Sequence, residues 1–271
     1  MYLVSRAVWP LASSLACLGA VVNAAGMLEI DVVFPRNNET YAPTKYFPIV
    51  FALQNAKLAK HLQPEISSFF RNGSDLRSVF GQGIHDLTYA NYSSEPYFVY
   101  SYETIDTEGP YELFTTAVWR SCNESGDQVS IQGNHINFSI DFTIKRGGQE
   151  VDLLAATTNN KTCSAENGVA INVTDQTHEV PPPPYWDPYR PDGTCAVLAS
   201  SSPTPTANPC RVKIDTAVAA SISASLHAFV CKGLNPPADC PKENAVQQLA
   251  ISSVASFAAA FGAIVFLLAC M

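Results

Sequence analysis

From Ile136 to Lys145 apolar and polar side chains alternate without a miss. Ile136, Phe138, Ile140, Phe142 and Ile144 fall on one side, and Asn137, Ser139, Asp141, Thr143 and Lys145 on the other. Period two predicts a strand with one face in a core and one in water. Shorter stretches repeat the pattern. Leu28, Ile30, Val32 and Phe34 oppose Glu29 and Asp31, which predicts a half-buried strand with its acids in solvent, closed by Pro35. Phe47–Leu53 is an unbroken apolar run too short for a typical helix, as in a strand covered on both faces. Phe98, Tyr100 and Tyr102 share a side, as do Tyr111, Leu113, Ala117 and Trp119 after Gly109-Pro110. Val169, Ile171 and Val173 make one more short strand. Turn residues separate these segments and no helical pattern alternates with them. The expectation is a mainly β chain, an antiparallel β-sandwich over residues 25–179. Trp119 stands only three residues before Cys122, which does not fit an immunoglobulin domain, where the Trp lies between two cysteines on facing strands.

At Val180 the composition changes. Pro181–Pro184, Pro188, Pro191, Pro203, Pro205 and Pro209 predict a Pro-rich linker or strap over 180–209. Tyr185, Trp186 and Tyr189 would anchor it, with a sugar or a partner protein as the other use of exposed rings. Beyond it, Asp215 reads as an N-cap, and Val218, Ile222, Leu226 and Phe229 follow at helical spacing. The expectation over 210–243 is a short disulfide-linked helical unit.

The ends and the cysteines address a compartment. Arg6 followed by an apolar stretch to Val22 and the small residues around Ala24 predict a signal peptide over 1–24. No charge follows Glu243, and Val254–Ala269 is apolar, which predicts a glycosylphosphatidylinositol attachment signal over 244–271 with Asn244 as the anchored residue. Between these segments stand Cys122, Cys163, Cys195, Cys210, Cys231 and Cys240. An even count in an oxidising compartment predicts three disulfides, with 15 pairings open. Asn-x-Ser/Thr occurs at Asn38, Asn72, Asn91, Asn123, Asn137, Asn160 and Asn172, well above the roughly 2 expected by chance. Asn137 and Asn172 fall on the polar sides of their strands. With 24 acidic against 16 basic side chains and a formal charge of −8, the chain repels nucleic acid and offers no basic stripe.

Four blocks, LEIDVVFPRNNETYAPTKYFPIVFALQN, VWRSCN, FTIKRGGQEVDL and PCRVKIDTAVAASISASL, together resemble a family of uncharacterised secreted proteins of filamentous fungi. That family is defined by a domain of unknown function, and many of its members look GPI-anchored. The resemblance implies a fungal extracellular protein with structural cysteines. It implies no activity and transfers no catalytic or binding residue.

Catalytic signals are few. There is no Gly-x-Ser-x-Gly, and Ser125 reads as part of the Asn123 sequon in a polar turn. His61, His85, His135, His178 and His227 are far apart in sequence, so neither a metal nor any cofactor is expected. His85-Asp86, the one adjacent His–carboxylate pair, reads as a surface turn. Glu103, Asp106, Glu108 and Glu112 form the densest acidic cluster and read as solvated loop charges. The expected function is a non-catalytic cell-surface or wall-associated glycoprotein, its partners wall glycans or surface proteins and, through a lipid anchor, the membrane. The alternative is a surface enzyme acting on wall polysaccharide, which would need two carboxyl groups held about 5–10 Å apart.

Overall fold

The computed structural model describes residues 24–241 apart from 74, 126–127, 159–162, 181–192, 200–204, 234–235, 237 and 239. The predicted leader up to residue 23, the rings of 185–189, Asn160, Asn244 and the C-terminal tail lie outside the described residues. The chain divides into two compact units between Lys213 and Ile214.

The described part of the first unit is mainly β, as expected. One sheet runs in the order β10 (Thr194–Leu198), β9 (Gly168–Glu179), β1 (Ala24–Phe34), β3 (Thr44–Gln54), β6 (Tyr97–Ile105), and all its ladders are antiparallel. The other runs β2 (Glu39–Tyr41), β8 (Gln128–Ile144), β7 (Gly109–Ser125), β4 (Glu65–Asn72), β5 (Asp75–Asp86). It is antiparallel except that the short β2 joins β8 in parallel. The perfectly alternating segment is the inner half of β8. Phe138, Ile140, Phe142 and Ile144 are buried there, whereas Ile136 is 38% exposed because β8 runs on past the core.

Aromatic rings from both sheets meet in one cluster. Phe47 of β3 lies nearly parallel to Phe142 of β8, with centroids 5.2 Å apart. Phe34 of β1 meets Tyr41 of β2 at 5.0 Å, and Phe70 of β4 meets Phe142 edge-on at 6.0 Å. Each such pair adds about 1 kcal/mol to what the buried area supplies. The Cys122–Cys195 disulfide links β7 to β10, one strand from each sheet.

Several elements had no clear trace in the sequence. β4 alternates Ile66, Ser68 and Phe70 inward, but a serine at the central position hides the period. β5, the six-residue helix α1 (Leu153–Thr158) and β10 are absent from the sequence reading, β10 because prolines flank it at 191 and 203. On β6 the aromatic side found in the sequence is not the one that meets the core. Val99 and Ile105 point into the core, and Phe98, Tyr100 and Tyr102 are half-buried on the other side. A ring is large enough to mimic a core residue while lying on an outer face.

In the second unit, α2 (Thr216–Cys231) begins as expected, with the Val218 amide donating to Asp215 Oδ1 at 2.8 Å. Ile222 and Val230 are its buried residues, and Phe229, expected inside, is 66% exposed. The step of four from Val218 through Ile222 and Leu226 to Val230 follows one helix face, which Phe229 leaves. The Cys231–Cys240 disulfide closes a short loop after α2. No helix among the described residues is long and apolar enough to cross a membrane.

Candidate functional site

The half-buried reading of β1 holds for its apolar side only. Glu29 and Asp31, expected in water, are 2% and 0% exposed. β1 is central in its sheet, so β3 and β9 occupy both its edges. The segment around the Pro209–Arg211 turn covers the acids. The Asn208 amide donates to Glu29 Oε2 at 2.6 Å, and Arg211 Nη2 to Glu29 Oε1 at 2.6 Å. Gln54, directly across from Glu29 on β3, bridges everything. Its Nε2 donates to Glu29 Oε2 (3.2 Å), to Asp31 Oδ2 (2.7 Å) and to the Asn208 carbonyl (3.2 Å), while its Oε1 accepts from Arg211 Nε at 2.7 Å. The neighbouring Cys210 is bonded to Cys163. A charged pair of this kind, with one head partly in solvent (Arg211 is 54% exposed), is stabilising only when its remaining lone pairs are filled. Gln54 and Asn208 do that for Glu29.

Asp31 is less well served. Its Oδ1 is buried with no partner and faces Gly168, directly across on β9, where any Cβ would strike that oxygen. Burial pushes the Asp31 carboxyl up to about 7, with the Glu29 charge adding to the rise and the Gln54 bond, Arg211 and Arg36 opposing it. Two carboxyl groups sharing one amide donor, one of them protonating near neutrality, have the electrostatics of an acid–base pair. Both side chains are nevertheless shielded from solvent, at 2% and 0% exposure. Two cavities among the described residues, of about 230 and 260 Å³, are lined by other residues: one by Arg36, Tyr41, Glu150 and their neighbours, the other by Asn38, Pro110, Asp141 and theirs. The arrangement binds residues 207–211 to the face of β1.

The residues singled out from sequence are not brought together. Glu112 pairs with Arg71 at 3.4 Å, Glu108 with Arg146 at 3.0 Å, and Glu103 lies against Gly81. The acidic cluster is therefore spread over different partners. His85 is not in a surface turn. It is the last residue but one of β5, with its ring 6.0 Å from that of Phe51, and burial lowers its imidazole, while Asp86 accepts the Thr88 amide. His178 Nε2 lies 2.7 Å from Glu124 Oε1. His227, expected to stand apart from any metal-binding group, precedes Cys231 by one helical turn. His227, Cys231 and Cys240 bring their ligand atoms within 4.8 Å of one another. Cys231 and Cys240 are joined as a disulfide, which leaves no thiolate there to hold a metal. Six of the seven sequon asparagines are described. Asn38, Asn91, Asn123 and Asn137 are exposed, and Asn72 and Asn172 are half-buried.

Sequence reasoning missed the network on β1 because each part looks ordinary in isolation. Acids at alternate positions on a strand read as a solvent face, and nothing local ties them to Arg211, 182 residues further on. No curated protein and no solved structure matches the chain. Residues 23–240, which take in both sheets, the covering segment and α2, match the family described as a domain of unknown function, DUF7136, and the chain belongs to that family.

Proposed function

We propose that the chain is a non-catalytic extracellular glycoprotein of a fungal cell surface or wall, acting in recognition or wall organisation, with a signal peptide over 1–24 and a lipid anchor at Asn244. The observation that carries this reading is the pairing of all six described cysteines as Cys122–Cys195, Cys163–Cys210 and Cys231–Cys240. Bonds of this kind persist in oxidising compartments and are rare in the cytosol. Exposure of four sequon asparagines is consistent with the same address. The two sheets are read as the layers of a β-sandwich, supported by the Phe47–Phe142 stack and the Cys122–Cys195 link. The Pro-rich segment is read as a strap across it, supported by the hold on residues 207–211. Phospholipase C treatment of expressing cells is expected to release the protein; retention in the membrane fraction refutes the lipid anchor.

A surface enzyme acting on wall polysaccharide is the second reading, and the Glu29–Asp31 pair is the observation in its favour. The two separate in one experiment. The purified chain is incubated with wall polysaccharides, and bound protein and soluble sugar are measured in the same tubes. Retention without product supports the first reading. Product release that is lost in Glu29→Gln supports the second.

A further inference from the structure

We infer that the outer face of β4, β7 and β8 is a seat for the first N-acetylglucosamine of a glycan carried by Asn137, with Phe69 and Phe114 as the platform under the sugar. The inference rests on the extracellular reading and goes beyond it by assigning that glycan a place in the fold.

The register supplies the geometry. Asn137 and Ser139, the first and third residues of the sequon, are exposed on one face of β8. Asn137 lies directly across from Thr116 of β7, and Ser139 directly across from Phe114. Phe114 is in turn directly across from Phe69 of β4. Asn137 is therefore the diagonal neighbour of Phe114, about 7 Å away and within reach of one sugar ring. The two phenyl rings stack with centroids 5.0 Å apart and an interplanar angle of 25°, and both are only half-buried.

Arg71 closes one margin of this platform. The Arg71 guanidinium carbon sits 5.1 Å from the Phe69 centroid and 5.0 Å from that of Phe114, and Arg71 Nη1 is bonded to Glu112 Oε2. Along β7 the outward residues run Glu112, Phe114, Thr116, so Arg71 reaches the rings from the side away from Asn137. The next outward residue of β7 toward Asn137 is Thr116. Its Oγ1 donates to Asn137 Oδ1 at 2.8 Å. This bond uses the amide oxygen, which the sugar linkage leaves intact, and keeps Nδ2 for the linkage. That linkage forms when a lipid-pyrophosphate-linked oligosaccharide donates its sugar. The C1–Nδ2 bond forms, the bond from C1 to the pyrophosphate oxygen breaks, the lipid pyrophosphate leaves with the electron pair, and one Nδ2 proton is lost. The C–H face of the sugar then covers aromatic surface that otherwise stays in water, and its N-acetyl group meets the hydroxyls of Thr116 and Ser139.

The test uses the full chain secreted from a eukaryotic host, with site occupancy mapped by glycopeptide mass spectrometry. Glycans are trimmed to a single N-acetylglucosamine with an endoglycosidase, and thermal unfolding is recorded. Ser139→Ala removes the sequon without altering Asn137 or its bond to Thr116, and Ser93→Ala removes the Asn91 sequon as a control. The trimmed parent is expected to melt roughly 2–4 °C above trimmed Ser139→Ala, the shift that about 1 kcal/mol produces in a chain of this size. Phe114→Leu keeps an apolar side chain and removes the ring; in that background Ser139→Ala is expected to cause no further shift. Equal melting with and without the Asn137 sugar, or a shift that survives Phe114→Leu, overturns the inference. A bare Asn137 beside occupied sequons elsewhere also overturns it while leaving the extracellular reading intact. A chain bare at every sequon overturns the reading on which it rests.

Discussion

Asp31→Asn isolates a pH dependence that the burial of β1 builds into the chain. The Asp31 carboxyl has an ordinary value of 3.8 and rises to about 7 in the fold. A raised folded value means that the native protein holds this proton more tightly than the unfolded chain does. Below pH 3.8 both states are protonated and the group contributes no slope. Between 3.8 and about 7 the native state binds the extra proton, so stability falls as pH rises. Above that window both states are ionised and the full cost of a buried charge is present. A shift of about 3 units corresponds to about 4 kcal/mol across the window. Asn does not titrate, so the variant lacks this decline. Its amide also places two donors near Gly168, where Oδ1 already lacks a partner, and that adds a penalty common to all pH values. The informative quantity is therefore the change with pH in the stability difference between variant and parent, in which contributions from other groups cancel. Urea unfolding at pH 4 and pH 8, disulfides intact, should show the variant gaining about 4 kcal/mol on the parent between the two. Parallel stability profiles across that range would refute the argument, because they would mean that Asp31 stays ionised in the fold or is reached by water.

Gly168→Ala places a methyl group against Asp31 Oδ1 and should cost about 1–3 kcal/mol, read as a lower urea midpoint at unchanged slope. Removing Cys122 and Cys195 together opens a 73-residue separation, for which chain entropy gives a loss of about 4 kcal/mol. The corresponding change at Cys231 and Cys240, 9 residues apart, should cost about 2–3 kcal/mol, so equal losses in the two double variants would contradict the entropic account. Asp215→Ala deletes the cap of α2 and should lower stability by about 1 kcal/mol, with fraying at the start of the helix visible by amide exchange.

β8 was legible residue by residue, since its inner half follows period two and its partners in the core share that pattern. The same rule misread β1. Leu28, Ile30, Val32 and Phe34 were placed correctly, yet the alternation assigned Glu29 and Asp31 to solvent. Periodicity reports which side chains differ from their neighbours, whereas burial depends on what arrives from elsewhere in the chain. Here the arrival is residues 207–211, brought over β1 by Arg211 and Asn208 and joined through Cys210 to Cys163. On β6 the alternation was legible, but which side meets the core was not, and the aromatic row proved to be the outer one. β10 was hidden because a strand five residues long between prolines has too little pattern to register.

The sequence alone determined the mainly β character, the start of α2 at its Asp215 cap and the even cysteine count, because each depends on local spacing or composition. Disulfide partners, the enclosure of Glu29 and Asp31 beneath Arg211, and the position of Asn137 beside Phe114 were decided only by the tertiary structure. Each depends on the pairing of segments far apart in sequence. That choice is made by the combined burial of many side chains and is written in no single one of them.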